Sequence, residues 1–127
     1  MRKIKFILVF LLAAVAAKAD VYDDISSAIR SGDAKQVAAY FSSSIDLTVL
    51  SQEDVYSKAQ GEFMVRDFFS KNPPKSFTIV HKGSSKDGIL FMVGNYVSSS
   101  GKSFRTSVVL KNSQGKYSIQ ELRFENQ

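Results

Sequence analysis

The chain carries one histidine, His81, and no cysteine in 127 residues. Proton transfer near neutral pH therefore falls to His81, to carboxylates or to tyrosines, the remaining side chains that serve as general acid or base. His81 stands in "SFTIVHK" and shares its alternating phase with Phe77 and Ile79, which puts it near the interior of a sheet at the end of a strand. With Glu121 of "KYSIQELRFE" and a tyrosine such as Tyr40 or Tyr56, it makes up a general-base set. The plainer role for His81 is a strand-end side chain satisfied by a backbone carbonyl. That role is favoured because the sequence places no partner for it.

Other chemistries are excluded more directly. A transition-metal site needs several histidines, thiolates or convergent carboxylates, and no metal or cofactor is expected here. Asp23-Asp24 and Glu53-Asp54 lack the glycine-centred spacing of a calcium loop and read as helix-start and turn acids. There is no Gly-x-Ser-x-Gly elbow. "GSSKDG" joins two strands and opens no helix, so it lacks the array of amides that cradles phosphate.

The elements that must position these residues follow from periodicity. Val21, Tyr22, Ile25, Ala28 and Ile29 recur at helical spacing after Asp20 as a cap, and Gly32 ends the helix. Asp33 caps a second helix, with Gln36 in the capping-box position and Val37, Tyr40 and Phe41 on its apolar face. "SSSIDLTVL" alternates as a half-buried strand, "SQED" turns it, and Val55-Tyr56 returns alongside as a short hairpin. Ser57 and Gln60 form a capping box for a third helix with Met64, Val65, Phe68 and Phe69 on its apolar face, while Phe63 points the other way and is either an exposed aromatic or covered by something else. Pro73 and Pro74 forbid that helix to continue.

From Lys75 onward, "SFTIVHK", "ILFMVGNYV", "SFRTSVVLK" and "KYSIQELRFE" are separated by turns rich in glycine and Asp/Asn, the pattern of a four-stranded antiparallel meander. Phase puts Thr106 on the pocket side with Phe104, Val108 and Leu110. In the last strand Tyr117 and Ile119 share a phase with Glu121, whereas Leu122 and Phe124 take the other; a bulge near Gln120 reconciles them. "ILFMVGNYV" is apolar on both faces, so the outer sheet face calls for a cover, either a second copy or an N- or C-terminal segment.

The first 19 residues have a basic start, an apolar run from Phe6 to Ala17 and a small-x-small site at Ala17-Lys18-Ala19. They are expected to be a removed signal peptide rather than a membrane anchor, leaving residues 20–127 as one domain in a periplasmic or secreted space. No cysteine follows to carry a lipid, and no stable membrane insertion is expected after cleavage. Without that segment the net charge falls from +5 to +1, which removes the case for nucleic acid as a partner.

Helices followed by a run of long antiparallel strands belong to the α+β class. "AIRSGDAKQVAAYF", "VYSKAQ", "DFFSKNPPKSFTIVHKGSS" and "YSIQELRFE" resemble an uncharacterised family of small exported bacterial proteins. That family belongs to the nuclear transport factor two-like, ketosteroid isomerase-like superfamily of cystatin-like fold. The resemblance implies a cone: about three N-terminal helices on a curved antiparallel sheet of four long C-terminal strands plus a short hairpin. It also implies that any catalysis is acid-base chemistry inside the cone, and that subunits pair through the outer sheet face. With no Asp or Glu at a confident pocket position, a non-catalytic module binding a small apolar or anionic ligand, or a protein partner, is preferred to an isomerase- or dehydratase-like enzyme using His81 or Glu121. Tyr40, Tyr56 and Thr106 are the candidate pocket residues.

Overall fold

Val21, Tyr22, Ile25, Ala28 and Ile29 are all buried in the computed structural model, which describes residues 21–127. They lie on one side of helix α1, residues 21–31, which stops at Gly32 with a left-handed φ of 69°. The expected signal peptide lies outside the described residues. No helix among the described residues is long and apolar enough to cross a membrane.

Asp33 caps α2 (Ala34–Ala38), its carboxylate accepting from the Gln36 amide at 3.1 Å. The helix is shorter than expected. Phe41, assigned above to its apolar face, instead opens strand β1 (Phe41–Val49). The Ile119 amide donates to the Tyr40 carbonyl at 2.6 Å, so pairing with a distant strand takes over where "YFSSS" offers little helix propensity. β1 turns at Leu50 into β2 (Gln52–Ser57), its antiparallel partner.

The Ser57–Gln60 capping box closes with bonds of 3.2 and 3.3 Å and starts α3 (Lys58–Lys71). Its buried side carries Val65, Phe68 and Phe69, and Phe63 is 66% exposed. Beyond the helix the Asn72 carbonyl accepts from the Tyr96 hydroxyl, and the Pro73 carbonyl accepts from the Ser99 amide at 2.8 Å. The proline corner is thereby fastened to the sheet.

Strands β3 (Pro74–Ser84), β4 (Ile89–Ser98), β5 (Ser103–Ser113) and β6 (Lys116–Asn126) form the meander. All six strands make one sheet in the order β2-β1-β6-β5-β4-β3. The sheet is not wholly antiparallel, as the alternation patterns suggested. β1 runs parallel to β6, with Leu47 beside Leu122 and Val49 beside Phe124, which joins the hairpin to the meander. Strand periodicity carries no information on that direction.

Two bulges set which side chains face the helices. In β6, Val109 pairs with Glu121 but Leu110 with Ile119, so Gln120 is the extra residue, as the conflict of phases required. Ile119, Leu122 and Phe124 all turn inward, and Glu121 and Arg123 face outward. In β3, Ile79 pairs with Gly94 but His81 with Val93, which makes Val80 the extra residue. This bulge corrects the expectation for His81. It leaves the phase of Phe77 and joins Val93 and Phe91 on the outer face.

The inner face packs on α3 through an aromatic cluster. The Phe68 ring stacks on Phe124 at 4.3 Å between centroids and meets Phe104 edge-on at 5.2 Å and Tyr96 at 5.4 Å. Both sheet edges are protected. The amides of Val55 and Ser57 in β2 are taken by Asp54 Oδ1 and Gln60 Oε1, and α1 lies along β3, where the Tyr22 hydroxyl donates to the Gly83 carbonyl at 2.9 Å.

Candidate functional site

Tyr40 sits at the corner between α2 and β1, held there by the bond from the Ile119 amide to its carbonyl. Opposite, the β5–β6 hairpin turns through Gln114 and Gly115, with φ values of 55° and 82°, and Asn112 Oδ1 accepts from the Gly115 amide at 2.9 Å. Two consecutive left-handed residues make the turn tight, so Lys116 and Tyr117 follow at once on the new strand. The first turns of α1 close a third side and Lys58, the first residue of α3, a fourth.

These elements enclose a cleft of about 1020 Å³. Val21, Ala28, Ala39 and Phe41 supply apolar wall; Tyr40, Tyr117, Asp24, Lys58 and Lys116 supply polar groups. Burial, and next to it the Asp24 carboxylate, hold the Tyr40 phenol above its ordinary value of 10. Burial, and then Tyr117, raise the Tyr22 phenol in the same direction. At neutral pH the cleft therefore presents the Tyr40 phenol as a neutral hydroxyl rather than a phenolate, beside two ammonium groups and one carboxylate. An apolar body with an anionic end matches that lining: the body against the wall, the anion against the lysines.

The residues singled out from the sequence do not converge on it. Tyr40 lines the cleft. Tyr56 lies elsewhere, beside Phe63 and Met64 in a smaller groove of about 420 Å³. Thr106 is fully buried in the sheet core between Gly94 and Phe124, with no partner for its hydroxyl, and lines none of the clefts described. His81 and Glu121 share the outer face but stand on β3 and β6, with β4 and β5 between them, a separation of about 14 Å at ordinary strand spacing. Glu121 is bound to Arg123 at 3.2 Å, and Arg123 in turn reaches Glu53 at 3.3 Å. Partial burial pulls the Arg123 guanidinium down, but Glu121, Glu125 and Glu53 together hold it above its usual range. A carboxylate so engaged, a distant imidazole and tyrosines on the other side of the sheet do not make up one proton-transfer site. Among the described residues no group of three His, Cys, Asp or Glu side chains is placed to hold a metal ion.

Asp24, Lys58, Lys116 and Tyr117 were missed by sequence reasoning. They come from three separate stretches, and only the tight "QG" turn just before Lys116-Tyr117 marked any of them as fixed in space.

The family described as a domain of unknown function (DUF4783) matches residues 22–125. The chain is similar to solved structures of that family. One is from Bacteroides ovatus, at 23% identity over 82% of this chain and 93% of that one, with a TM-score of 0.76. Another is from Bacteroides uniformis, at 23% identity over 83% and 95%, with a TM-score of 0.77. A designed protein described as "Rd1NTF2_04 with long sheet" is similar at 16% identity over 84% and 97%, with a TM-score of 0.69. At these identities the structural likeness is one of fold, consistent with the nuclear transport factor two-like cone. No curated protein matches the sequence.

Proposed function

The chain belongs to the DUF4783 family, and from that membership and the cleft we propose that it is an exported, non-catalytic module that binds a small organic anion with an apolar body. The observation that carries this reading is the division of polar groups. Lys58, Lys116 and two phenols gather around an open apolar cleft, while the volume between α3 and the sheet is filled by Phe68, Tyr96, Phe104 and Phe124. An acid-base enzyme of the cone type needs the interior volume; a binding module needs only the cleft.

A suitable probe is 8-anilinonaphthalene-1-sulfonate, which combines an aromatic body with an anion. Its fluorescence is expected to rise saturably with the protein. The double variant Lys58→Glu, Lys116→Glu should weaken binding roughly tenfold, because exposed charge contacts contribute up to about 1 kcal/mol each and 1.4 kcal/mol is a factor of ten. His81→Ala should leave it unchanged. Equal affinity of wild type and the double variant would sink the assignment to this cleft.

A second reading concerns the outer sheet face. Phe91, Val93 and Val97 of β4 and Val109 of β5 are half-buried there, and Asn95 Oδ1 has no partner. Around the stripe the charges are mixed: Arg123 binds Glu53 and Glu121, and Arg105 on β5 stands opposite Glu125 on β6. A second copy related by a two-fold axis would lay apolar stripe against apolar stripe. Sedimentation velocity is expected to give a dimer at micromolar concentration, and Val93→Glu a monomer with unchanged circular dichroism. A wild-type monomer at 100 μM would remove this reading.

A further inference from the structure

Helix α1 is fixed against the edge strand β3 at three points. The Tyr22 hydroxyl donates to the Gly83 carbonyl at 2.9 Å, and Arg30 Nη2 donates to the Phe77 carbonyl at 3.4 Å. Past the helix end, Gly32 lies so close to Pro74 that an added Cβ would stand 3.0 Å from the proline Cδ. Only glycine meets both that approach and the φ of 69° without strain. Between these points helix and strand leave a groove of about 690 Å³ on the side of α1 next to β3.

The groove is lined by Arg30 and Lys75, by Ser26 and Ser27 of α1 and by the edge of β3 at Ser76 and Thr78. Neither cation takes part in any of the four ion pairs among the described residues. Ser26 is 3% exposed, and its Oγ has no hydrogen-bond partner. Buried hydroxyls are ordinarily satisfied, so this one is an unmet polar group in the wall of the groove. Arg30 spends one nitrogen on Phe77, which holds its planar fork in place with other N–H groups to offer. The single acid of the lining, Asp23, lies seven residues before Arg30, about 10 Å along the helix. It leaves the Arg30–Lys75 end positive. Two cations without carboxylate partners, one of them pre-positioned, beside the serines of α1, are a donor set that a tetrahedral oxyanion takes.

We propose that the Arg30–Lys75 end of this groove is a binding site for a phosphate or sulfate group, separate from the cleft beside Tyr40. The test is thermal unfolding and calorimetric titration of the protein with sodium phosphate and sodium sulfate, against sodium chloride at matched ionic strength. Saturating phosphate or sulfate is expected to raise Tm by about 5 °C over chloride, the size of shift that ligation at roughly ten times Kd gives a domain of this length. Arg30→Gln and Lys75→Gln should each lower affinity at least about fivefold. Lys75 is exposed and makes no bond that the fold needs, so its variant remains informative if Arg30→Gln unfolds. Lys82→Gln, on the same strand but outside the groove, should bind as wild type. Glycerol phosphate and a sulfated monosaccharide, titrated in parallel, separate the sources: tighter binding of an ester than of the free ion identifies a headgroup, and the reverse a free anion. A Tm that follows ionic strength alone, or an equal loss in Lys82→Gln and Lys75→Gln, would overturn the site.

Discussion

Replacing Phe68 with alanine is expected to destabilise the protein by about 4 kcal/mol, a large part of the roughly 5–15 kcal/mol that holds a domain folded. The ring is 2% exposed and is the centre of the aromatic cluster, in contact with Phe124, Tyr96, Phe104 and its neighbour Phe69. Its removal takes away the transfer free energy of a benzyl group and leaves a cavity walled by rings that strands and helix hold apart. Urea denaturation followed by circular dichroism reads the loss. Benzene should then raise the Tm of the variant and not that of wild type, because an apolar cavity stays dry and accepts an apolar guest. A loss below about 1.5 kcal/mol, or no response to benzene, would mean that the cluster closes up and does not fill the cone as described. The point bears on the proposed function: these rings occupy the volume in which a cone-shaped acid-base enzyme would keep its substrate, which is why the proposed ligand is placed in the cleft outside.

Much of the fold could be read along the chain because local chemistry dictates it. Asp33 and Ser57 cap the helices they were expected to cap, the two prolines end α3, and the four long strands fall between glycine-bearing turns. Even the bulge at Gln120 was implied, since Ile119 and Leu122 cannot both face the core otherwise. What escaped depends on partners far away in sequence. Nothing in "TIVHK" marks Val80 as an extra residue: a β-branched side chain suits a regular strand equally well, so the outward turn of His81 appears only once β4 is beside it. Phe41 continues the helical phase of Val37 and leaves the helix because β6 claims its neighbour's carbonyl. The parallel direction of β1 on β6 likewise has no local signature. The cleft suffered most, for its lysines, acid and second tyrosine arrive from three stretches, and Tyr40 alone was named in advance.

A methyl group added at Gly94 is expected to destabilise the protein by about 3 kcal/mol, the upper end of what overpacking costs. Gly94 lies on the inner face of β4 beside Ile79, and the Phe77 ring from β3 lies across its backbone. A Cβ built there would stand 2.5 Å from Phe77 Cε1 and 3.0 Å from the Thr78 carbonyl oxygen. The ring cannot simply swing away, because Phe77 is 2% exposed and packed in the core. Either it leaves its rotamer or the edge strand β3 moves away from β4, and each route strains a residue whose carbonyl also holds Arg30. The double-mutant cycle distinguishes the ring from the backbone. If the ring is the obstacle, Gly94→Ala in a Phe77→Ala background should cost less than about 1 kcal/mol, since the methyl then enters space that the ring has vacated. Equal costs in both backgrounds would assign the strain to the Thr78 carbonyl and to strand spacing instead. The same contact occurs in mirror position on the outer face, where a Cβ at Gly83 would meet Phe91 Cζ at 2.6 Å. There the neighbour is a half-exposed ring that is free to turn, so Gly83→Ala should be milder by at least about 1 kcal/mol, and the difference measures how much of the cost comes from burial rather than from the strand itself.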